Sequence, residues 1–123
     1  MGLDFGIEKR RKGKNYEGLK WEDTAATWRN CHEVKRIFSE TIDFGDGKEC
    51  GGYYPISLGA MQILIKKLAY EASNVNFSDL DDVDTDATNK LFGAIADLSQ
   101  IVREALWDYT NGIEYEYRVF DSF

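Results

Sequence analysis

Histidine, proline and cysteine are scarce: the 123 residues include one histidine, one proline and two cysteines. With a single histidine, every serine or cysteine nucleophile that needs an imidazole base would have to use His32. Cys31 is its neighbour in sequence, and on a helix the two side chains would point about 100° apart. That geometry also disfavours a shared metal site, for which no paired-ligand spacing is present. The sequence therefore predicts a non-enzymatic protein without a metal or cofactor.

Long apolar runs are absent as well. The longest apolar stretch lies around Met61–Ile65, far short of the roughly 20 residues that a membrane-spanning helix needs. No signal-peptide pattern is present at the start of the sequence, so we expect a cytoplasmic protein with no membrane contact. In that compartment free thiols are favoured for Cys31 and Cys50, with a disulfide between them as the alternative.

The acidic charge is concentrated in the second half of the chain. The 22 acidic and 15 basic side chains give a net charge of −7 at neutral pH. Residues 1–61 contain ten side chains of each sign, whereas residues 62–123 contain five basic and twelve acidic ones (5 − 12 = −7). Such a field disfavours direct nucleic-acid binding and favours contact with a basic protein surface.

Apolar periodicity predicts a strand and a helix in the first half. Leu3–Glu8 alternates apolar and polar residues, as a half-buried strand does. Lys9–Lys14 is a basic cluster that we interpret as a solvated loop, with a patch for phosphate or an acidic partner as the alternative. Across Thr24–Ile42 apolar residues recur every three or four positions, which predicts one helix capped by Asp23 or Thr24. The residues of its buried stripe are Trp28, Cys31, Val34, Phe38 and Ile42.

A glycine-rich loop separates this helix from the next. Four glycines between residues 43 and 52 predict irregular structure, with an extended piece at Tyr53–Ile56. Ser57 is placed to cap a second helix over about Leu58–Ser73, because a serine side chain can accept a hydrogen bond from the first turn.

The third helix follows an acidic connection. We expect Phe77 and Leu80 to anchor that connection to the core, and Thr85 or Asp86 to cap a helix over about Ala87–Tyr109. The buried stripe of this helix is predicted to consist of Leu91, Ile95, Leu98, Val102 and Leu106.

The last segment has the clearest strand pattern. Ile113–Phe120 alternates cleanly between two faces, and it is a candidate to pair with the strand at Leu3–Glu8. Helices flanked by terminal strands predict a single α+β domain over residues 1–123, in which three helices pack on a small sheet formed by the N- and C-terminal strands.

Two sets of residues are candidates for binding. On the predicted first helix Arg29, His32 and Arg36 share one side, where they could bind a phosphate or carboxylate while Tyr53 or Tyr54 stacks on a base. The structural alternative pairs Arg29 with Glu33 and Arg36 with Glu40 at i,i+4 spacing.

The second set is an acidic run that consists of Asp79, Asp81, Asp82, Asp84 and Asp86. From Asp82 the spacing imitates a calcium-binding loop, but Ala87 replaces the required glycine and Gly93 the required glutamate. The run is either a solvated entry to the third helix, with Asp86 as its cap, or a surface that imitates a phosphate backbone for a basic partner.

Three short motifs carry a resemblance over residues 1–70. They are Met1-Gly2-Leu3-Asp4-Phe5, Trp28-Arg29-Asn30-x-His32 and Cys50-x-x-Tyr53-Tyr54-Pro55-Ile56-Ser57. Together they resemble a group of short bacteriophage and prophage proteins of unknown activity, many of which open Met-Gly-Leu-Asp and carry a Trp-Arg helix. The resemblance implies a phage origin and the cytoplasm of a host cell, and it transfers no catalytic residues.

These observations lead to one functional expectation with two alternatives. We expect a phage-encoded inhibitor that binds a bacterial defence protein through a basic surface of that protein. The alternatives are a sponge that sequesters a small signalling nucleotide and a small enzyme of unknown reaction. The oligomeric state is left open.

Overall fold

The structure is a computed structural model that describes residues 4–13, 21, 23–29, 31–42 and 52–122. In this part of the chain three α-helices pack on one face of a four-stranded antiparallel sheet, which confirms the predicted α+β class. The elements in chain order are β1 (Asp4–Arg11), β2 (Asp23–Arg29), α1 (His32–Thr41), β3 (Tyr53–Ile56), α2 (Leu58–Ser73), α3 (Thr85–Thr110) and β4 (Tyr115–Ser122).

The two terminal strands form the centre of the sheet. The strand order is β2-β1-β4-β3, and β1 pairs with β4 along all eight of its residues. Since side chains alternate between the faces of a sheet, the register places Phe5 and Ile7 beside Asp121 and Val119 on the inner face. Phe5, Ile7 and Val119 are almost completely buried there, so the predicted pairing of the terminal strands is confirmed.

An aromatic cluster joins the sheet to the first helix. The rings of Phe5, Trp28 and Phe38 lie with centroids 5.2 Å apart in each pair, at tilted or edge-on angles. Such arrangements are favourable because the ring edges carry positive and the faces negative charge density. The cluster fixes β1, β2 and α1 against one another.

The single helix predicted over Thr24–Ile42 is wrong in its first part. Asp23–Arg29 forms β2, and the helix begins only at His32. Trp28 is buried in the strand, and it would also be buried in the predicted helix. Its position therefore fits the spacing of apolar residues in both a strand and a helix. The β-branched threonines favour a strand, and the backbone of this segment pairs with β1. These contacts outweigh the helical propensity of the segment. The predicted caps Asp23 and Thr24 are therefore also wrong, and Cys31 takes the N-cap position without a side-chain cap.

The basic cluster is mostly strand. Lys9, Arg10 and Arg11 continue β1 opposite β4, where Arg10 pairs with Glu116 and Lys9 lies over the Tyr115 ring. The predicted loop begins only at Lys12. Lys14 lies outside the described residues, as do Leu3 and residues 43–51 of the glycine-rich loop.

The second and third helices follow the prediction closely. Ser57 Oγ accepts a hydrogen bond from the Ala60 amide at 3.1 Å, which confirms the predicted cap of α2. Helix α3 begins slightly earlier than expected, because Asp84 caps it by accepting from the Ala87 amide at 3.1 Å. The predicted caps Thr85 and Asp86 are wrong by one and two positions.

Gly6 leaves no room for a side chain. It faces Phe120 across the β1–β4 pair, and an added Cβ would clash with the backbone oxygen of Ala26 and lie 2.7 Å from Cζ of Phe120. We expect Gly6→Ala to lower the free energy of unfolding by about 1–3 kcal/mol, the usual effect of overpacking. Urea denaturation measures this loss.

Gly93→Ala is the matched control. Gly93 lies in α3 with open space around its missing Cβ, so this change should raise stability by about 0.5–1 kcal/mol through reduced backbone entropy. Equal effects of the two substitutions would contradict the close packing of β1 against β2 and β4.

Candidate functional site

The structure separates the residues of the predicted ligand site. Arg29 lies at the end of β2, where its Nε is 3.5 Å from Asp4 Oδ1, and it does not pair with Glu33. Tyr53 and Tyr54 lie on β3, at the opposite edge of the sheet. Three strand spacings, or roughly 14 Å, separate the two edges. The shared helical face of Arg29, His32 and Arg36 does not form, because Arg29 belongs to a strand.

Arg36 is occupied by carboxylates. Its guanidinium lies 3.0 Å from Glu33, 2.7 Å from Glu40 and 3.2 Å from Glu71, so the predicted pair with Glu40 is confirmed. Hydrogen bonds with Glu33 and Glu71 raise the pKa of this guanidinium. His32 is exposed on the same helix. The arrangement connects α1 to α2, and it leaves no vacant guanidinium fork for an anion.

Tyr53 and Tyr54 instead line an open cleft beside the β3 edge. The cleft has a volume of about 1280 Å³ and extends around the β3 edge, next to the first half of β4, the start of α2 and the end of α3. We call it the tyrosine cleft, because its aromatic lining comprises Trp21, Tyr53, Tyr54, Tyr109, Tyr115 and Tyr117. Sequence reasoning identified Tyr53 and Tyr54 and missed the other four, which three separate segments contribute.

One wall of the cleft is a checkerboard of paired charges on the outer face of the sheet. Arg10 Nε donates to Glu116 Oε1 at 2.6 Å, and Arg118 Nε donates to Glu8 Oε1 at 3.1 Å. Trp21 lies against both guanidinium groups, with ring-centroid distances of 4.6 Å to Arg10 and 4.4 Å to Arg118. The wall is therefore close to neutral, because each of its two arginines is paired with a carboxylate.

Arg118 also contacts the first of the two tyrosines. Its guanidinium carbon lies 3.9 Å from the centroid of the Tyr53 ring. Cation–π contact of this kind is worth about 0.5–1 kcal/mol at exposed sites. Because Tyr53 keeps 58% of its surface exposed, its other face is open to a ligand.

The acidic run has both structural and unassigned members. All five carboxylates are exposed. Asp84 caps α3, Asp86 pairs with Lys90 at 3.0 Å, and Asp79 caps the 3-10 turn Leu80–Asp82 by accepting from the Asp81 amide at 3.2 Å. Within the described residues the structure gives the side chains of Asp81 and Asp82 no comparable role.

Apolar side chains are exposed among these carboxylates. Phe77, Leu80 and Phe92 keep 49%, 66% and 48% of their surfaces exposed, and the rings of Phe77 and Phe92 lie 6.4 Å apart. The prediction that Phe77 and Leu80 anchor the connection in the core is therefore wrong, as is the burial of Leu106, which is mostly exposed. We call this region the acidic–aromatic surface: the three apolar residues together with Asp79, Asp81, Asp82, Asp84 and Asp86.

No group of three histidine, cysteine or carboxylate side chains among the described residues is arranged to hold a metal ion. None of their helices combines the length and apolar character of a membrane span. Comparison of the chain with protein-family models, curated proteins and solved structures gives no match.

The buried phenol of Tyr117 makes the stability of the protein depend on pH. Burial, reinforced by the nearby Asp108 carboxylate, raises the pKa of its phenol to about 12, whereas an unfolded tyrosine titrates near pH 10. Between these values the unfolded state loses its proton first, so stability should fall as the pH rises from about 10 to about 12, by at most about 2–3 kcal/mol.

Tyr117→Phe should remove this contribution. As the pH rises through that interval, we expect the native chain to lose more stability than the variant does. Urea denaturation at several pH values measures the free energy of unfolding of both chains. The exposed Tyr70 supplies the control, because Tyr70→Phe should leave the pH dependence unchanged. Parallel curves for the native chain and Tyr117→Phe would show that the Tyr117 phenol is not desolvated.

Proposed function

We propose that this protein is a non-enzymatic binding protein, encoded by a phage, that inhibits a bacterial defence protein by occupying a basic surface of that protein. The observation that carries the proposal is the acidic–aromatic surface. It combines an exposed apolar centre with a surrounding set of carboxylates, and protein interfaces are commonly built with an apolar core and a polar rim.

The apolar centre would supply most of the affinity. Monomeric proteins leave single apolar residues exposed without consequence, but Phe77 and Phe92 form a ring pair at the surface. Aromatic residues at the centre of an interface are frequent hot spots, whose truncation costs about 2 kcal/mol or more. A partner with an apolar depression between basic side chains would fit this arrangement.

The carboxylates would raise the association rate and favour partners with a basic surface. The second half of the chain contains the full net charge of −7. Five of its twelve carboxylates, all exposed, lie in the acidic run at one end of the α2–α3 pair. Each exposed ion pair contributes only about 0.2–1 kcal/mol. Their summed field steers a basic partner and makes its association dependent on salt.

The phage origin rests on the three motifs in residues 1–70. A row of carboxylates imitates the phosphate backbone of a nucleic acid, since both present repeated negative charge. The nucleic-acid-binding groove of a defence nuclease is therefore the basic surface that this row would fit best. This step from surface chemistry to anti-defence activity is an analogy. The analogy is the reason to test the binding against bacterial defence nucleases.

The nucleotide sponge that the sequence suggested has less support. Its residues Arg29, Arg36 and Tyr53 lie on three separate elements, and both guanidinium groups face carboxylates of the chain. A phosphate at either arginine would have to displace an existing partner. Protein binding through the acidic–aromatic surface therefore remains the leading proposal.

The proposal predicts a loss of inhibition when the apolar centre is removed. The chain is expressed in bacterial strains that each carry one defence nuclease, and restored phage plating identifies the nuclease that is inhibited. Phe92→Gln should then weaken binding of the purified nuclease at least tenfold, mainly through faster dissociation, since a hot spot is lost. Tyr70→Gln, which removes an exposed aromatic ring from α2, should bind as the native chain does.

A second variant tests the carboxylates. Replacing all five aspartates with asparagine should slow association and flatten its salt dependence, while stability is retained because asparagine also caps helices well at position 84. Unchanged plating in every strain, or equal rates and salt slopes for the native and asparagine chains, would contradict the proposal.

A further inference from the structure

The outer face of the sheet differs in charge from the chain as a whole. The three helices pack on the inner face, and an antiparallel sheet can leave its other face to water. A chain of net charge −7 repels a second copy of itself, and a neutral face reduces that repulsion. The register places three carboxylates and three guanidinium groups on the outer face, so that their charges cancel: Asp4, Glu8, Glu116, Arg10, Arg29 and Arg118.

We propose that the protein forms a two-fold symmetric dimer in which the outer faces of two sheets pack on each other. The two-fold axis would run between β1 and β4, parallel to both strands. Sheets that pack face to face commonly keep their strands within about 30° of each other, and a two-fold interface uses the same surface of both copies. This axis exchanges the two central strands, so β1 of one copy lies over β4 of the other.

The register makes the outer face complementary to itself. Glu8 is the neighbour of Arg118 across the β1–β4 pair, and Arg10 is the neighbour of Glu116. Each neighbouring pair thus has one charge on β1 and the opposite charge on β4. When the axis exchanges the strands, Glu8 faces Arg118 of the second copy, and Arg10 faces Glu116 of the second copy. Symmetry repeats both contacts, so four pairs of opposite charge fix the relative position of the two copies.

Aromatic side chains on the same face supply the apolar contact. The Phe120 ring lies on Gly6 and is half-buried. Tyr53 is the neighbour of Phe120 in the register, and 58% of its surface is exposed. Trp21 lies over the two guanidinium groups of the central strands. Packed sheets are about 10 Å apart, which leaves room for these rings between the two copies. Protein interfaces are enriched in aromatic residues and arginine, and this face presents both.

The size of the face limits the affinity of the dimer. Four strands spaced about 4.8 Å apart, with up to eight residues that rise about 3.4 Å each, give a footprint of at most about 500 Å². Standard interfaces bury about 800 Å² of accessible surface on each partner, and smaller ones are typical of weak complexes. We therefore expect a Kd on the order of 10–100 µM.

Sedimentation velocity of the purified chain, from about 1 to about 500 µM, tests the dimer. Arg10→Glu and Glu116→Arg each place like charges opposite each other in a dimer of identical copies, so each should weaken self-association about tenfold or more. An equimolar mixture of these two variants again places opposite charges at both positions. The mixture should therefore dimerise as the native chain does.

A second pair of variants tests the apolar contact. Tyr53→Ser should weaken dimerisation about tenfold, whereas Tyr70→Ser, which removes an exposed ring from α2, should leave it unchanged. Circular dichroism checks that every variant is folded. The proposal is overturned by a native chain that is monomeric at every concentration, by a mixture that associates no better than its two components, or by equal dimerisation of the Tyr53 and Tyr70 variants. These measurements need no defence protein, so they are independent of the proposed function.

Discussion

The pairing of β1 with β4 is the constraint on which the rest of the structure depends. It joins residues separated by more than 100 positions, and its eight-residue register orients the inner face on which all three helices pack. A shift of one residue would expose Phe5, Ile7 and Val119 and bury the charged checkerboard of the outer face. Since long-range pairing closes most of the chain into a loop, its entropic cost must be offset by burial of this inner face.

Charge is placed differently on the two faces of the sheet. On the outer face Arg10, Glu116, Arg118 and Glu8 neutralise one another near water, where each pair contributes modestly. On the inner face Asp121 is buried, and Lys35 of α1 approaches it to 2.8 Å. Removal of one partner from a buried pair leaves an uncompensated charge, so this contact fixes the position of α1 more strictly than apolar packing alone does.

The antiparallel pair of α2 and α3 separates two surfaces of different chemistry. One end presents carboxylates around exposed phenylalanines, and the other end forms an aromatic cleft with paired charges. Leu64, Leu68 and Leu98 of the two buried stripes are inaccessible to solvent, so the two helices pack closely against the core between these ends. The two ends share no lining residues.

The sequence by itself determined the elements with unambiguous periods: α2 with its Ser57 cap, most of α3, and the two terminal strands. It also determined that the net charge lies in the second half. Only the tertiary structure decided that Asp23–Arg29 is a strand, because Trp28 fits either period and pairing with β1 is not local. Only the tertiary structure also decided the composition of the tyrosine cleft and of the acidic–aromatic surface. Tyr109 and Trp21 reach one cleft through packing of distant segments, and the exposure of Phe77 follows from the core being filled by other residues.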